Sequence, residues 1–163
     1  MRSTFLTLIA SLASAQSHLK ILSPKTLAAE FTNGEIAVNI ANFGRIPYGQ
    51  SLVGSLVFDL EEGQLSNACQ EFDSAYQTVQ NSRPRFFVAK RGECSFVTKV
   101  RNMEESGFAL GIIVEDSEVD IDSLIMSDDG TGDGITIPSV LISKKDWSIL
   151  ITGLLGLKEE ERS

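Results

Sequence analysis

From Arg85 onward the chain alternates short apolar runs with one amphipathic stretch, and this order constrains the fold more than any other feature. Phe86 to Lys90 and Ala109 to Glu115 are short and rich in Phe, Val and Ile, as strands are, while Phe96 to Ser106 between them carries apolar residues at helical spacing. The order predicts a β-α-β unit. Ser95 is placed to cap the helix, Phe96, Val100 and Met103 share the face expected to pack on a sheet, and Gly107 falls where a left-handed C-terminal cap belongs. Val140 to Ser143 and Asp146 to Leu155 predict a further strand and a further helix.

The first half is less regular. Leu52 to Leu60, rich in Leu, Val and Phe and bounded by glycines, fits a buried strand. Leu19 to Ile46 reads as extended segments and turns around a short strand at Glu35 to Ile40. Gly63 to Arg85 is polar and loop-like, with a short helix expected within Ala68 to Val79 and Pro84 closing the segment.

The amino terminus has a different character. Arg2 precedes an apolar stretch from Phe5 to Leu12, and Ala13-Ser14-Ala15 offers the small-x-small pattern at which signal peptides are cut. The stretch lacks a 3.6-residue period and is too short to span a bilayer. Residues 1–15 are therefore expected to be a signal peptide, 16–157 a single domain and 158–163 a charged tail. The chain of 163 residues is long enough for one domain with a core of its own. In an oxidising compartment its two cysteines, Cys69 and Cys94, are most simply one disulfide, which would stabilise by roughly 3 to 4 kcal/mol.

A net charge of −8 argues against nucleic acid and against anionic membrane surfaces as partners, and no apolar run is long enough to insert in a membrane. Charge is nonetheless uneven. Arg83, Arg85, Lys90, Arg91, Lys99 and Arg101 lie close together, whereas residues 116–133 are acidic. Solvated surface charge accounts for this; a site for a peptide carboxylate is the alternative.

Catalytic constellations are thin. His18 is the sole histidine and adjoins the cleavage position, so triads and Cys-His pairs lack a base, and a disulfide would consume both thiols that a zinc site needs. The run from Asp128 to Gly134 alternates carboxylates with glycines but misses EF-hand spacing and is expected to be a solvated connector. No metal, no cofactor and no catalytic residue is expected, and no Asn-x-Ser/Thr acceptor occurs.

One segment is more specific. Arg91-Gly92-Glu93-Cys94-Ser95-Phe96 leads into the helix, Gly107 to Val114 follows, and Ile137-Pro138-Ser139-Val140-Leu141-Ile142-Ser143 comes later. This succession resembles the protease-associated (PA) domain. Leu19 to Pro24, Ala41 to Gly44, Tyr48-Gly49, Val53-Gly54 and Ala68-Cys69 are similar to the amino-terminal PA region of plant-type vacuolar sorting receptors. The resemblance implies an α+β fold of β/β/α architecture, a sheet-rich core in the form of an open barrel or sandwich flanked by helices. It also implies a Cys69–Cys94 pair and binding without catalysis. In those receptors the loop is implicated in holding a cargo sorting peptide, which carries over to Arg91, Gly92, Glu93, Cys94 and Phe96. Trp147 departs from the family, which commonly has Gly after the Asp there.

The residues fit such a loop. Gly92 permits a tight turn, Cys94 anchors it, Phe96 is expected to plug the core beneath, and Arg91 to offer paired donors to a peptide carboxylate or carbonyl. Arg91 and Glu93 are the contact candidates, and a peptide adding along an exposed strand edge is a second mode. The expected function is polypeptide or sorting-signal binding in the secretory or endomembrane lumen, or outside the cell, with a vacuolar or lysosomal route. The alternative is an accessory PA domain of a truncated protease or membrane-bound ubiquitin ligase.

Overall fold

A computed structural model describes residues 3–11, 17–46, 51–76 and 83–160. The expected cleavage junction at Ala13 to Ala15 lies outside the described residues, as do residues 161–163.

Among the described residues the frame is an eight-stranded mixed sheet. In chain order its strands are β1 (Ser3–Ser11), β2 (His18–Ser23), β3 (Glu35–Ala37), β4 (Asn39–Ile40), β5 (Ser51–Phe58), β8 (Arg85–Lys90), β9 (Leu110–Val114) and β10 (Ser139–Ile142), arranged β3-β2-β1-β5-β8-β9-β10-β4. Short strands β6 (Leu60–Glu61) and β7 (Gln64–Leu65) form a separate hairpin. Helices are α1 (Lys25–Ala28), α2 (Phe96–Glu105) and α3 (Lys144–Glu160). The run β5-β8-β9-β10 is parallel, and β8-α2-β9 is the β-α-β unit that the sequence predicts.

Those parallel strands are covered on both faces, which is why they read as unbroken apolar runs. Along β8, Phe86 and Val88 join one core and Phe87 and Ala89 the other, all fully buried. The first core includes Leu8, Ile21, Leu56, Phe58, Trp147 and Leu150, and the second Val57, Val97, Val100, Met103, Phe108 and Leu141. Each buried Phe contributes about 2 to 3 kcal/mol of transfer free energy. Helix α2 covers one face and α3 the other, giving the α+β class and the open, helix-flanked sheet.

Helix α2 begins as its sequence dictates, with the Ser95 hydroxyl accepting from the Thr98 N–H at 3.1 Å. It ends before Gly107, whose φ is +80°. Its buried face is rotated from the expected one: Val97, Val100 and Met103 enter the core, whereas Phe96 stays half-buried in the first turn. Phe96 therefore does not plug the core. Helix α3 starts at Lys144, where the Ser143 hydroxyl accepts from the Asp146 N–H and donates to its carboxylate at 2.7 Å. This cap leaves Trp147 free to pack edge-on against Phe58 at 5.5 Å. The helix continues to Glu160 and so includes part of the segment expected to be a tail.

Two further expectations are corrected. Glu35 to Ile40 is not one strand; Val38 divides it into β3 and β4, which are the two opposite edges of the sheet. The sheet must curl for one residue to bridge its edges, yet no ladder joins β3 to β4 among the described residues. The helix expected within Ala68 to Val79 is replaced by a turn at Asn67 and a single 3-10 turn at Ser74–Tyr76, with residues 77–79 outside the described ones. Residues Ser3–Ser11, marked by sequence as part of a removable segment, form an interior strand with Leu8 and Ala10 fully buried. An apolar stretch of Thr, Phe, Leu and Ile with no helical period suits a strand as well as a leader.

Candidate functional site

The Arg91 to Phe96 segment links the end of β8 to α2, and its path is fixed by backbone bonds on both sides. The Lys90 N–H donates to Ser66 O and the Arg91 N–H to Val114 O, each at 2.9 Å. Gly92 and Glu93 both take left-handed backbone, with φ of +98° and +71°. The turn thus needs Gly92 and holds Glu93 in a conformation that costs a non-glycine residue about 1 kcal/mol or more. Both residues are exposed.

A disulfide joins Cys94 to Cys69 across 25 positions of sequence. Beneath it lies Lys99, which is fully buried and not the surface charge that its residue type suggests. Its ammonium donates to the carbonyls of Asn67 and Gly92, each at 2.6 Å, and lies 3.3 Å from Cys69 Sγ. Burial pushes the Lys99 amine down to about 8, partly opposed by the Glu93 carboxylate and reinforced by Lys90. Asn102, one turn below, donates to Ala68 O at 2.9 Å, and the Asn67 side chain accepts from the Cys69 N–H at 2.9 Å. Two loops are thereby tied to one helix.

Arg91 is not a free pair of donors. One guanidinium nitrogen bonds to Glu115, whose side chain is 1% exposed, and the guanidinium lies 5.5 Å over the Phe96 ring. Burial alone would raise the Glu115 carboxyl. Bonds from the Ser117 hydroxyl, Arg91 and the Asp116 and Ser117 N–H groups outweigh it and hold the group at about 2. Arg91 remains 38% exposed, so its outer edge still faces solvent.

The structure therefore brings Arg91, Gly92, Glu93, Cys94 and Phe96 onto one short surface and divides their roles. Glu93 is outward, Gly92 is exposed but turns its carbonyl in to Lys99, Arg91 is half-committed, Cys94 is an anchor, and Phe96 supports Arg91 from below. Beside them a recess lined by Asp59, Glu61, Cys69, Glu71, Asp73 and Tyr76 gives the neighbourhood negative charge. Much of the basic cluster seen in sequence is committed to partners within the chain, although only Lys99 of the six is buried. Arg85 stacks 4.7 Å over Phe108 and donates to Tyr76 O, while Arg101 donates to Thr131 O in the acidic loop. In that loop Asp128 accepts from the Gly130 and Gly132 N–H groups at 2.8 and 2.9 Å. No group of three or more His, Cys, Asp or Glu suited to a metal occurs among the described residues.

Lys99, Asn102, Asn67 and Glu115 were not singled out as site residues by sequence. Lys99 carried a signal nonetheless, standing four residues before Met103 and so one turn earlier on a buried face.

A family profile for the PA domain matches residues 52–150. The chain belongs to the PA domain family. Vacuolar-sorting receptor 6 of Arabidopsis thaliana is 31% identical over 151 residues, covering 90% of this PA domain chain and 22% of the receptor. Vacuolar-sorting receptor 1 of Pisum sativum is 28% identical over 142 residues, with 84% and 22% covered. A third relative is Receptor homology region, transmembrane domain- and RING domain-containing protein 6 of Arabidopsis thaliana, 27% identical over 84 residues, with 52% and 26% covered. Among solved structures, a zinc aminopeptidase from Bacillus subtilis overlaps 93% of this chain and 29% of its own, with a TM-score of 0.44 and 17% identity. The chain spans 22% of the length of the two sorting receptors, and in both the matched part includes most of this PA domain.

Proposed function

We propose that this PA domain binds an extended polypeptide across the surface made by residues 91–96 and 66–69, in the secretory or endomembrane lumen, and that sorting cargo is its class of partner. The observation that carries the reading is the frame. A disulfide and a buried ammonium, the latter holding the inward-turned Gly92 carbonyl, immobilise a turn that presents exposed Glu93 outward, so little ordering entropy is lost when a ligand binds. The adjoining acidic recess favours a ligand with a basic side chain. Similarity to proteins named vacuolar-sorting receptors supports cargo as the partner, and the leader-like residues 1–15 support luminal delivery. Titration calorimetry with luminal sorting peptides is expected to show saturable binding that Glu93→Arg weakens by about tenfold or more. No binding by any such peptide to the oxidised protein would remove the proposal.

Similarity to a relative whose name includes a RING domain supports a second reading, an accessory module of a membrane-bound ubiquitin ligase. Coding sequence for a membrane span and a RING domain beyond Ser163 would favour it. A transcript that stops at Ser163 would exclude it.

A further inference from the structure

Strand β1 is the one interior strand whose sequence also carries the marks of a removable segment. It is antiparallel to both neighbours, with Leu8 opposite Ile21 and Gly54 and Ala10 opposite Leu19 and Leu52. Leu8 and Ala10 are fully buried in the core under α1 and α3, while Thr7 and Ile9 are only partly covered. Cleavage after Ala15 would take this strand away and leave only Gln16 and Ser17 before β2, too few to refill its place.

What would remain is specific in shape. The facing edges of β2 and β5 would each present unpaired N–H and C=O groups, two inter-strand spacings apart, or about 9.5 Å. A gap of that width between two strand edges takes one extended chain. Gly54 shapes the floor: a Cβ there would sit 2.5 Å from Pro84 O and 2.7 Å from the Phe86 ring, so no side chain competes with the residue in Leu8's place. The outer edges of the sheet are poorer docking sites, because β3 and β4 have three and two residues.

We propose that in the chain processed after Ala15 the slot between β2 and β5 docks an extended segment of a partner polypeptide, antiparallel to both walls. A branched aliphatic residue fills the place of Leu8 and a small residue two positions later fills that of Ala10. The inference rests on the luminal processing in the proposed function but not on the Arg91 loop.

The test starts from the full chain carrying a protease site within residues 12–16. After cutting, a fluorescent nine-residue peptide of the Ser3–Ser11 sequence is added. Saturable one-to-one uptake is expected, with release of the original fragment seen by mass and no uptake by uncut chain. Peptides bearing Leu8→Asp or Ala10→Trp should bind at least about tenfold more weakly, since they bury a charge or overfill the core. If the cut chain unfolds on losing its fragment, refolding on addition of peptide supports the slot, and failure to refold overturns it.

A cut chain that stays folded and takes no peptide also overturns it. So does a secreted protein whose mature terminus, read by mass spectrometry, still includes residues 3–11, or a processed chain held as a dimer that the peptide cannot dissociate. Binding of a sorting peptide at the Arg91 loop, measured on the same samples, keeps the two readings apart: loop binding without strand uptake overturns the slot alone.

Discussion

Lys99 carries an ammonium to a place where its hydrogen-bond partners are two carbonyls and a sulfur. Because burial lowers its pKa from 10.5 to about 8, the folded state releases this proton before the unfolded state does. Stability from this group is therefore lowest below pH 8 and rises between pH 8 and 10.5. Tyr76 acts in the opposite sense. Its phenol, pushed up to about 12 by burial and by the Asp59 carboxylate that accepts its hydroxyl at 2.8 Å, contributes stability below pH 10 that is lost as pH rises toward 12. Urea unfolding across this range should show a rise followed by a fall, with Lys99→Met removing the rise and Tyr76→Phe the fall. At pH 7, Lys99→Met is expected to cost about 1 to 2 kcal/mol, the loss of two charge-assisted bonds being partly offset by relief of a buried charge. Gly92→Ala should cost about 1 kcal/mol through backbone strain alone, measured by the same titration.

At the scale of elements, β8 and β9 are held together beyond their ladder by the Arg91–Glu115 pair. The Glu115 carboxyl is held at about 2, below its ordinary 4.5, so its contribution is complete above pH 4.5 and lost as pH falls from there through 2. Acid unfolding of wild type and Glu115→Gln should differ by a constant amount at pH 5 to 7 and converge below that window. The pair consequently stays intact at the acidity of an endomembrane compartment. Ser95→Ala, which removes the α2 cap, should cost about 1 kcal/mol. Much of this level was legible in the sequence. Phe86 to Ala89 announce a strand buried on both faces, and Ser95 and Gly107 bracket α2 within one residue. The division at Val38 was not legible, because the local pattern of Glu35 to Ile40 runs on unbroken and only curling of the whole sheet interrupts it. Strand β1 was obscured for another reason: a short apolar run serves a leader and a strand alike.

For the whole molecule the disulfide is the principal covalent tie. Reduction, or joint replacement of Cys69 and Cys94 by Ala, should lower stability by about 2 to 4 kcal/mol and Tm by about 6 to 12 °C in a scanning calorimeter. Loop binding should suffer before global unfolding does, since the tie joins the two segments that form that surface. The pairing of Cys69 with Cys94 was readable from a count of two cysteines, whereas the lysine beneath it left only the mark of its place one turn before Met103, and its partners are set by docking of the helix.

The single residue that separates β3 from β4 has a bearing on solution behaviour. A large sheet ordinarily exposes two long rims on which another copy can template itself. Here both rims are contributed by the same few residues around Val38 and offer three and two residues, so edge-to-edge stacking finds almost no purchase. Resistance to fibrous association is thus built in where the sheet ends, and a chain stripped of β1 would lose that protection in its interior until a strand filled the space.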